Sequence, residues 1–223
     1  MYVTLQNNEI RLQKPTLNGP RQSAPIRRNL AKNAHLFREG DPARRIFEVE
    51  SGVLRLTRVM PDGRRQVIAF GYPGDVIGFP SDGRFHSDCE ALTAATLIVY
   101  KREALEHELG DVALHNRLLQ AALREIGNMQ DHFLMLGRKS ASERVASFFV
   151  ILNQRVGEKH GQYSQFTLPM DRSDIADFLG LSTETVCRAI TQLRKSEIIA
   201  LDNIHTVIVL KPAALKAIAE TTE

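Results

Sequence analysis

The chain has 223 residues, 43% hydrophobic and 25% charged, with a formal net charge of +3. That length holds two modest domains; no apolar run is long enough to cross a membrane and no apolar signal core opens the chain, so a cytoplasmic protein is expected. Two cysteines are too few for a disulfide scaffold and match no zinc-cluster spacing, while the small positive charge permits a nucleic-acid partner without demanding one.

Residues 1–27 are polar and weakly periodic, punctuated by Pro15, Gly19, Pro20 and Pro25. They predict a flexible N-terminal segment. From 28 to 110 the pattern becomes short apolar runs, at 45–49, 52–59, 65–70, 76–78, 87–92 and 94–100, separated by Gly, Pro and Asp turns. Asp62-Gly63 between two runs is a hairpin signal. Many short strands at these spacings predict an antiparallel β-barrel or jelly roll, within a chain that is α+β as a whole.

Residues 111–137 predict one long helix. Leu114, Leu118, Ala122, Ile126, Met129, Phe133 and Leu136 recur at steps of three and four, more apolar surface than a small barrel needs to cover. A dimerisation helix, its stripe buried against a second subunit, explains this economically; intrachain packing is the alternative. Residues 140–156 predict a second helix with Val145, Phe148, Phe149 and Leu152 facing the core of the last domain. Residues 157–165 predict a polar surface loop.

The last domain, 138–223, carries the most specific signal. Two short helical patterns at 172–178 and 182–195 flank Leu179-Gly180-Leu181, and a strand, a turn and a strand follow. That order predicts a winged helix-turn-helix and double-stranded DNA as partner. Asp171 and Ser173 suit the start of the first helix, and Ser182 or Thr183 the start of the second. Val186, Ala189, Ile190 and Leu193 form an inward face, which leaves Glu184, Cys187, Arg188, Thr191 and Arg194 outward. Arginine donates two bonds to guanine and glutamate accepts from cytosine N4. Glu184 and Arg188, four residues apart, are therefore the candidate base readers, with Cys187 beside them; an intrahelical surface pair is the bland alternative. Arg172, Ser182, Thr183, Thr191 and Arg194 are candidate backbone contacts. Arg138, Lys139, Arg144 and Lys195 are further cations nearby. A two-fold dimer presents two such helices to successive major grooves and favours a palindromic site.

The arrangement resembles the bacterial family that includes the cyclic-AMP receptor protein and the fumarate-and-nitrate-reduction regulator. The resemblance rests on Asp41-Pro42-Ala43, Ser51-Gly52-Val53-Leu54, Pro73-Gly74-Asp75-Val76-Ile77-Gly78 and Glu184-Thr185-Val186-Cys187-Arg188. The last motif is most similar to the FixK-type nitrogen-fixation branch. It implies a cyclic-nucleotide-binding-like sensor domain and recognition of TTGA/TCAA-like half-sites. It also implies recruitment of RNA polymerase and control of low-oxygen, nitrogen-fixation or respiratory genes. Polymerase-contact patches carried over from the family fall at Asp62, Arg64 and Arg65 and at Glu158 and Lys159.

No cofactor is expected. An iron–sulfur cluster commonly needs four thiolates, and the N-terminal segment has none. Where nucleotide-binding relatives carry Gly-Glu and later Arg-Ser, this chain has Gly78-Phe79 and His86-Ser87, with Arg84 two residues out of phase. An effector-independent regulator with Cys187 as a redox candidate is the leading expectation. A small-ligand-dependent regulator and a dimeric protein-interaction adaptor are the alternatives. An enzyme is not expected, since His35, His107, His115, His132 and His205 are scattered.

Overall fold

The computed structural model describes residues 25–80, 82–103 and 111–220. Residues 1–24 of the segment expected to be flexible, Ser81 and His107 lie outside the described residues. Strand β1 (Ile26–Leu30) begins inside the end of that segment and pairs antiparallel with β8 (Ala95–Lys101).

The N-terminal strands do not close into the expected barrel or jelly roll. They form two open four-stranded sheets. The first has the order β1-β8-β3-β6, with β3 at Arg45–Ser51 and β6 at Val76–Ile77. The second has the order β2-β7-β4-β5, with β2 at His35–Phe37, β7 at Asp88–Ala91, β4 at Leu54–Val59 and β5 at Arg65–Gly71. Closure requires a continuous ladder around the ring. Here β6 stops after two residues at Gly78, whose φ is +98°, and no ladder among the described residues joins the two sheets. The apolar alternation is as expected: Leu54 and Leu56 of β4, and Ala95, Leu97 and Val99 of β8, point inward.

The turn between β3 and β4 depends on Gly52. Its φ is +84°, and a Cβ there would lie 2.4 Å from the Ala94 carbonyl oxygen, so neither the backbone nor the space admits a side chain.

Helix α1 (Val112–Arg138) starts at Asp111, whose carboxylate accepts from Leu114 N–H. Leu118 and Ala121 bury against Ile46 and Val76 of the first sheet. Helix α2 (Ala141–Val156) starts on a full capping box between Ser140 and Glu143. Its Val145, Phe148, Phe149 and Leu152 are all buried, as the pattern predicts. The expected loop at 157–165 is instead a hairpin of β9 (Glu158–His160) and β10 (Tyr163–Thr167). Gly161, at φ +61°, makes its turn, and β10 extends the wing sheet by pairing with β12 (Thr206–Val209). A last helix, Pro212–Glu220, packs on α2.

One apolar cluster runs from the sheets into the C-terminal helices. At its junction the His132 ring of α1 stacks on Phe178, with centroids 4.3 Å apart and planes at 25°. Burial, reinforced by the Arg144 charge, lowers the His132 pKa from 6.5 to about 4. The folded state thus resists protonation, so this contribution to stability is full above pH 6.5 and is lost as pH falls toward 4. Burial, with the Asp75 charge adding to it, raises Glu125 from 4.5 to about 7; that contribution is full below 4.5 and is lost as pH rises through 7. The difference between variant and wild type isolates the histidine. The melting temperature of His132→Gln should fall less than that of wild type between pH 7 and pH 5, and an equal fall would refute the assignment.

Candidate nucleic-acid interface

Helix α3 (Arg172–Leu179) begins at Asp171, whose Oδ1 accepts from Asp174 N–H at 2.7 Å and from the Ser173 hydroxyl at 2.8 Å. Gly180 ends it in the left-handed region at φ 63°, ψ 40°, as a tight turn between crossing helices demands. Ser182 then caps α4 (Thr183–Lys195) by accepting from Thr185 N–H at 3.1 Å. Glu184 sits in the first turn of α4, and Arg194 and Lys195 in the last, each favourable to the helix dipole. Val186, Ala189, Ile190 and Leu193 are buried. The wing is β11 (Ile199–Leu201) paired with β12.

The opposite face of α4 is open. Ser182, Thr183, Glu184, Cys187, Arg188, Thr191 and Arg194 are all exposed, and Glu184, Cys187, Arg188, Thr191, Gln192 and Lys195 line one shallow groove. Gln192 belongs to this surface although the sequence pattern did not single it out. Arg188 Nη2 donates to Glu184 Oε1 at 2.5 Å, with both side chains more than 70% exposed. The intrahelical pair therefore exists, and in water it contributes little to stability. One of the five guanidinium donors is engaged and the rest face solvent. The Thr191 hydroxyl donates to the Cys187 carbonyl at 2.8 Å.

The other cations divide. Arg172 is half-buried and donates to the Ile204 carbonyl at the wing tip at 3.0 Å. Burial lowers its pKa from the usual arginine value, though a guanidinium stays charged at neutral pH. Arg144 has a structural role: it donates to the carbonyls of Leu136 at 2.7 Å, Lys139 at 2.9 Å and Leu179 at 3.0 Å. One guanidinium thus ties the end of α1, the α1–α2 junction and the end of α3. Lys139 is likewise turned inward, onto Ser147 Oγ and the Ala219 carbonyl. Cys89 is fully buried, and burial pushes its thiol pKa up; Cys187 is exposed.

The predicted dimerisation residues share one stripe of α1 but differ in exposure along its length. Ile126, Met129 and Phe133 are exposed, together with Leu119, Leu123 and Leu134. Leu118 is fully buried within its own chain, and Leu114 packs beside it. Ala122 and Leu136 are half-buried. Of the polymerase-contact candidates, Asp62 and Arg64 pair with each other at 2.7 Å at the β4–β5 turn, and Glu158 and Lys159 are exposed on β9. Arg65 instead points into the molecule, at Asp174 and Asp177 of α3. Those acids and Arg55, more than a hundred residues distant in sequence, form an ionic cluster that no local pattern announces.

Residues 143–218 match the Crp-like helix-turn-helix domain and residues 27–111 the cyclic nucleotide-binding domain. The chain is 35% identical over 202 residues to the nitrogen fixation regulation protein FixK of Rhizobium meliloti, covering 91% of this chain and 89% of that one. It is 38% identical to the FixK of Azorhizobium caulinodans, over 83% of this chain and 76% of the relative. The solved structure of FixK2 from Bradyrhizobium japonicum superposes with a TM-score of 0.79 at 32% identity, covering 89% of this chain and 99% of that one. Among the described residues no helix is long and apolar enough to cross a membrane.

At the positions carried over from nucleotide-binding relatives, the side chains present here are turned to their own chain. A cyclic phosphate needs a cation facing the cavity and a ribose needs a polar partner. Phe79 packs instead into the apolar cluster of Ile46, Val76 and Leu118. Arg84 donates to the Gly40 carbonyl at 2.8 Å, and His86 lies 3.0 Å from Asp82. Phe37 and Phe85 stack with centroids 3.7 Å apart, placing aromatic carbon within the core of that domain.

Proposed function

Since this chain belongs to the CRP/FNR family of sequence-specific DNA-binding transcription regulators, in its FixK-related branch, we propose that it is a homodimeric activator that reads TTGA/TCAA-like palindromes. The observation that carries this reading is the open face of α4, where Glu184 and Arg188 stand together on a rigid, capped helix. In a major groove Arg188 donates to guanine O6 and N7 and Glu184 accepts from cytosine N4. Ser182 and Thr183 at the helix start, with Arg172, Thr191 and Arg194 around it, hold phosphates and fix register. Cys187, next to Arg188, takes the place of a base-contacting serine.

The dimer forms along the exposed apolar side of α1. Two heads then meet two half-sites about one helical turn apart. The Asp62–Arg64 turn and the Glu158–Lys159 strand are the proposed contacts to RNA polymerase, while Arg65 is committed to its own chain. Low-oxygen respiration and nitrogen fixation are the proposed targets, in keeping with relatives named for nitrogen fixation regulation. No nucleotide is required, since the nucleotide-facing positions do not suit one.

Reduced protein without added nucleotide should bind a TTGA/TCAA palindrome on the order of 10³-fold more tightly than a scrambled duplex at fixed salt. Equal binding to both duplexes would refute the reading. Mild peroxide should lower the specific affinity, because oxidation of Cys187 places volume and negative charge against the duplex. Cys187→Ala should remove that sensitivity.

A further inference from the structure

We propose that an ionic latch between the β4–β5 hairpin and α3 pre-sets the orientation of the recognition helix, with Asp174 and Asp177 as positioning residues for DNA binding. Arg55 of β4 approaches both carboxylate oxygens of Asp174 at 2.7 and 2.8 Å through Nη1 and reaches Glu90 at 2.6 Å through Nη2. Arg65 of β5 lies 2.8 Å from Asp174 and 2.7 Å from Asp177. Gln66 donates to the Asp177 carbonyl. Beneath these bonds Phe70 of β5 packs on Phe178, centroids 5.3 Å apart. The latch thus crosses from the sheet domain directly to the first helix of the helix-turn-helix.

Three features make it a positioning device. Asp174 is only 2% exposed, and a buried carboxylate between two guanidiniums is held in one geometry. The latch grips α3, whereas Glu184, Cys187 and Arg188 of α4 remain exposed. It therefore leaves the reading face open and does not occlude DNA. The chain passes between α1 and α2 at Lys139 and Ser140, both with extended backbone, so contacts made across the two domains decide how far the C-terminal unit can swing. A dimer that must place two recognition helices in register loses affinity when each head is free to turn. The latch supplies in the protein itself a restraint that holds the head in one orientation.

The inference rests on the dimeric DNA-reading arrangement proposed above, and its test separates positioning from simple loss of stability. Affinity would be measured for full-length wild type and Asp174→Asn on two palindromes, one with the preferred half-site spacing and one with a single base pair inserted. A scrambled duplex serves as control. Asp174→Asn should bind the preferred spacing about tenfold more weakly, and the penalty for the inserted base pair should shrink, since a looser head tolerates the wrong spacing. Destabilised but correctly oriented protein would lose affinity for both duplexes in the same ratio, and that result would overturn the proposal. Tighter binding by the variant, which would mark an inhibitory clamp, would overturn it too. If Asp174→Asn fails to fold, Asp177→Asn at the more exposed rim should show a smaller change in the same spacing ratio. Wild type that ignores the palindrome would refute the DNA-reading function, and the latch with it.

Discussion

Replacing Arg188 with alanine should weaken binding to the palindrome by about 10–100-fold per half-site, the equivalent of about 1–3 kcal/mol for a lost bidentate base contact. The loss should be confined to sequence discrimination. Arg188 projects from the middle of α4, with its guanidinium steered by Glu184 at 2.5 Å and otherwise open to solvent. Competition binding with duplexes altered one base pair at a time should show preference flattened at one position of each half-site and kept elsewhere. Arg194→Ala is the contrasting variant. Its side chain lies in the last turn of the helix, where a phosphate contact is the expected role, so affinity should fall uniformly across sequences and the salt slope should drop by about one per contact. A uniform loss for Arg188→Ala would move that residue from base reading to backbone contact. Folding should be unaffected in both cases, because both side chains are exposed and a surface pair such as Arg188–Glu184 contributes about 0–1 kcal/mol.

The parts of this molecule legible in sequence are those whose cause is local. Asp171, Gly180 and Ser182 set the helix-turn-helix through caps and a left-handed turn, and each needs only its neighbours within four residues. The inward faces of α2 and α4 follow from helical spacing alone. What escaped depends on contacts distant in sequence. The two open sheets differ from a barrel only in which strands fail to pair, a matter of edge strands as short as Val76–Ile77. β9 is polar and exposed, and β10 buries only Ser164 and Phe166, so the segment reads as loop; it is a strand pair because β12 offers β10 a ladder about 40 residues later. Cation roles were the least legible. Lys139, Arg144 and Arg65 look like free surface charge in the sequence, yet each is consumed by carbonyls or carboxylates brought up by folding. Of the readers proposed from spacing, Glu184 and Arg188 do stand together, because an i,i+4 pair on a helix requires nothing from elsewhere in the chain.

Ile126→Glu should convert the protein to a monomer and reduce its affinity for the palindrome by about 10²–10⁴-fold, the advantage lost when two linked binding events become one. Ile126 is 53% exposed, and it lies on one side of α1 with Leu123, Met129 and Phe133, the last 76% exposed. Each such side chain gains about 1.5–3 kcal/mol on full burial, and a run of them along a 27-residue helix is more than isolated surface exposure explains. A two-fold axis parallel to the helix sets the residue near its own copy, so one substitution places two like charges in an apolar seam. Sedimentation of the variant at micromolar concentration should give a single species near the 25.0 kDa chain mass. Leu118 is the informative counterpart, because it belongs to the same sequence stripe but is buried against Ile46 and Val76 of its own chain. Leu118→Ala should cost about 2–5 kcal/mol of unfolding free energy and leave the folded fraction dimeric. If Ile126→Glu remained a dimer while Leu118→Ala dissociated, the exposed part of the stripe would be plain surface, and the seam would lie instead along the part of α1 that packs on the sheet.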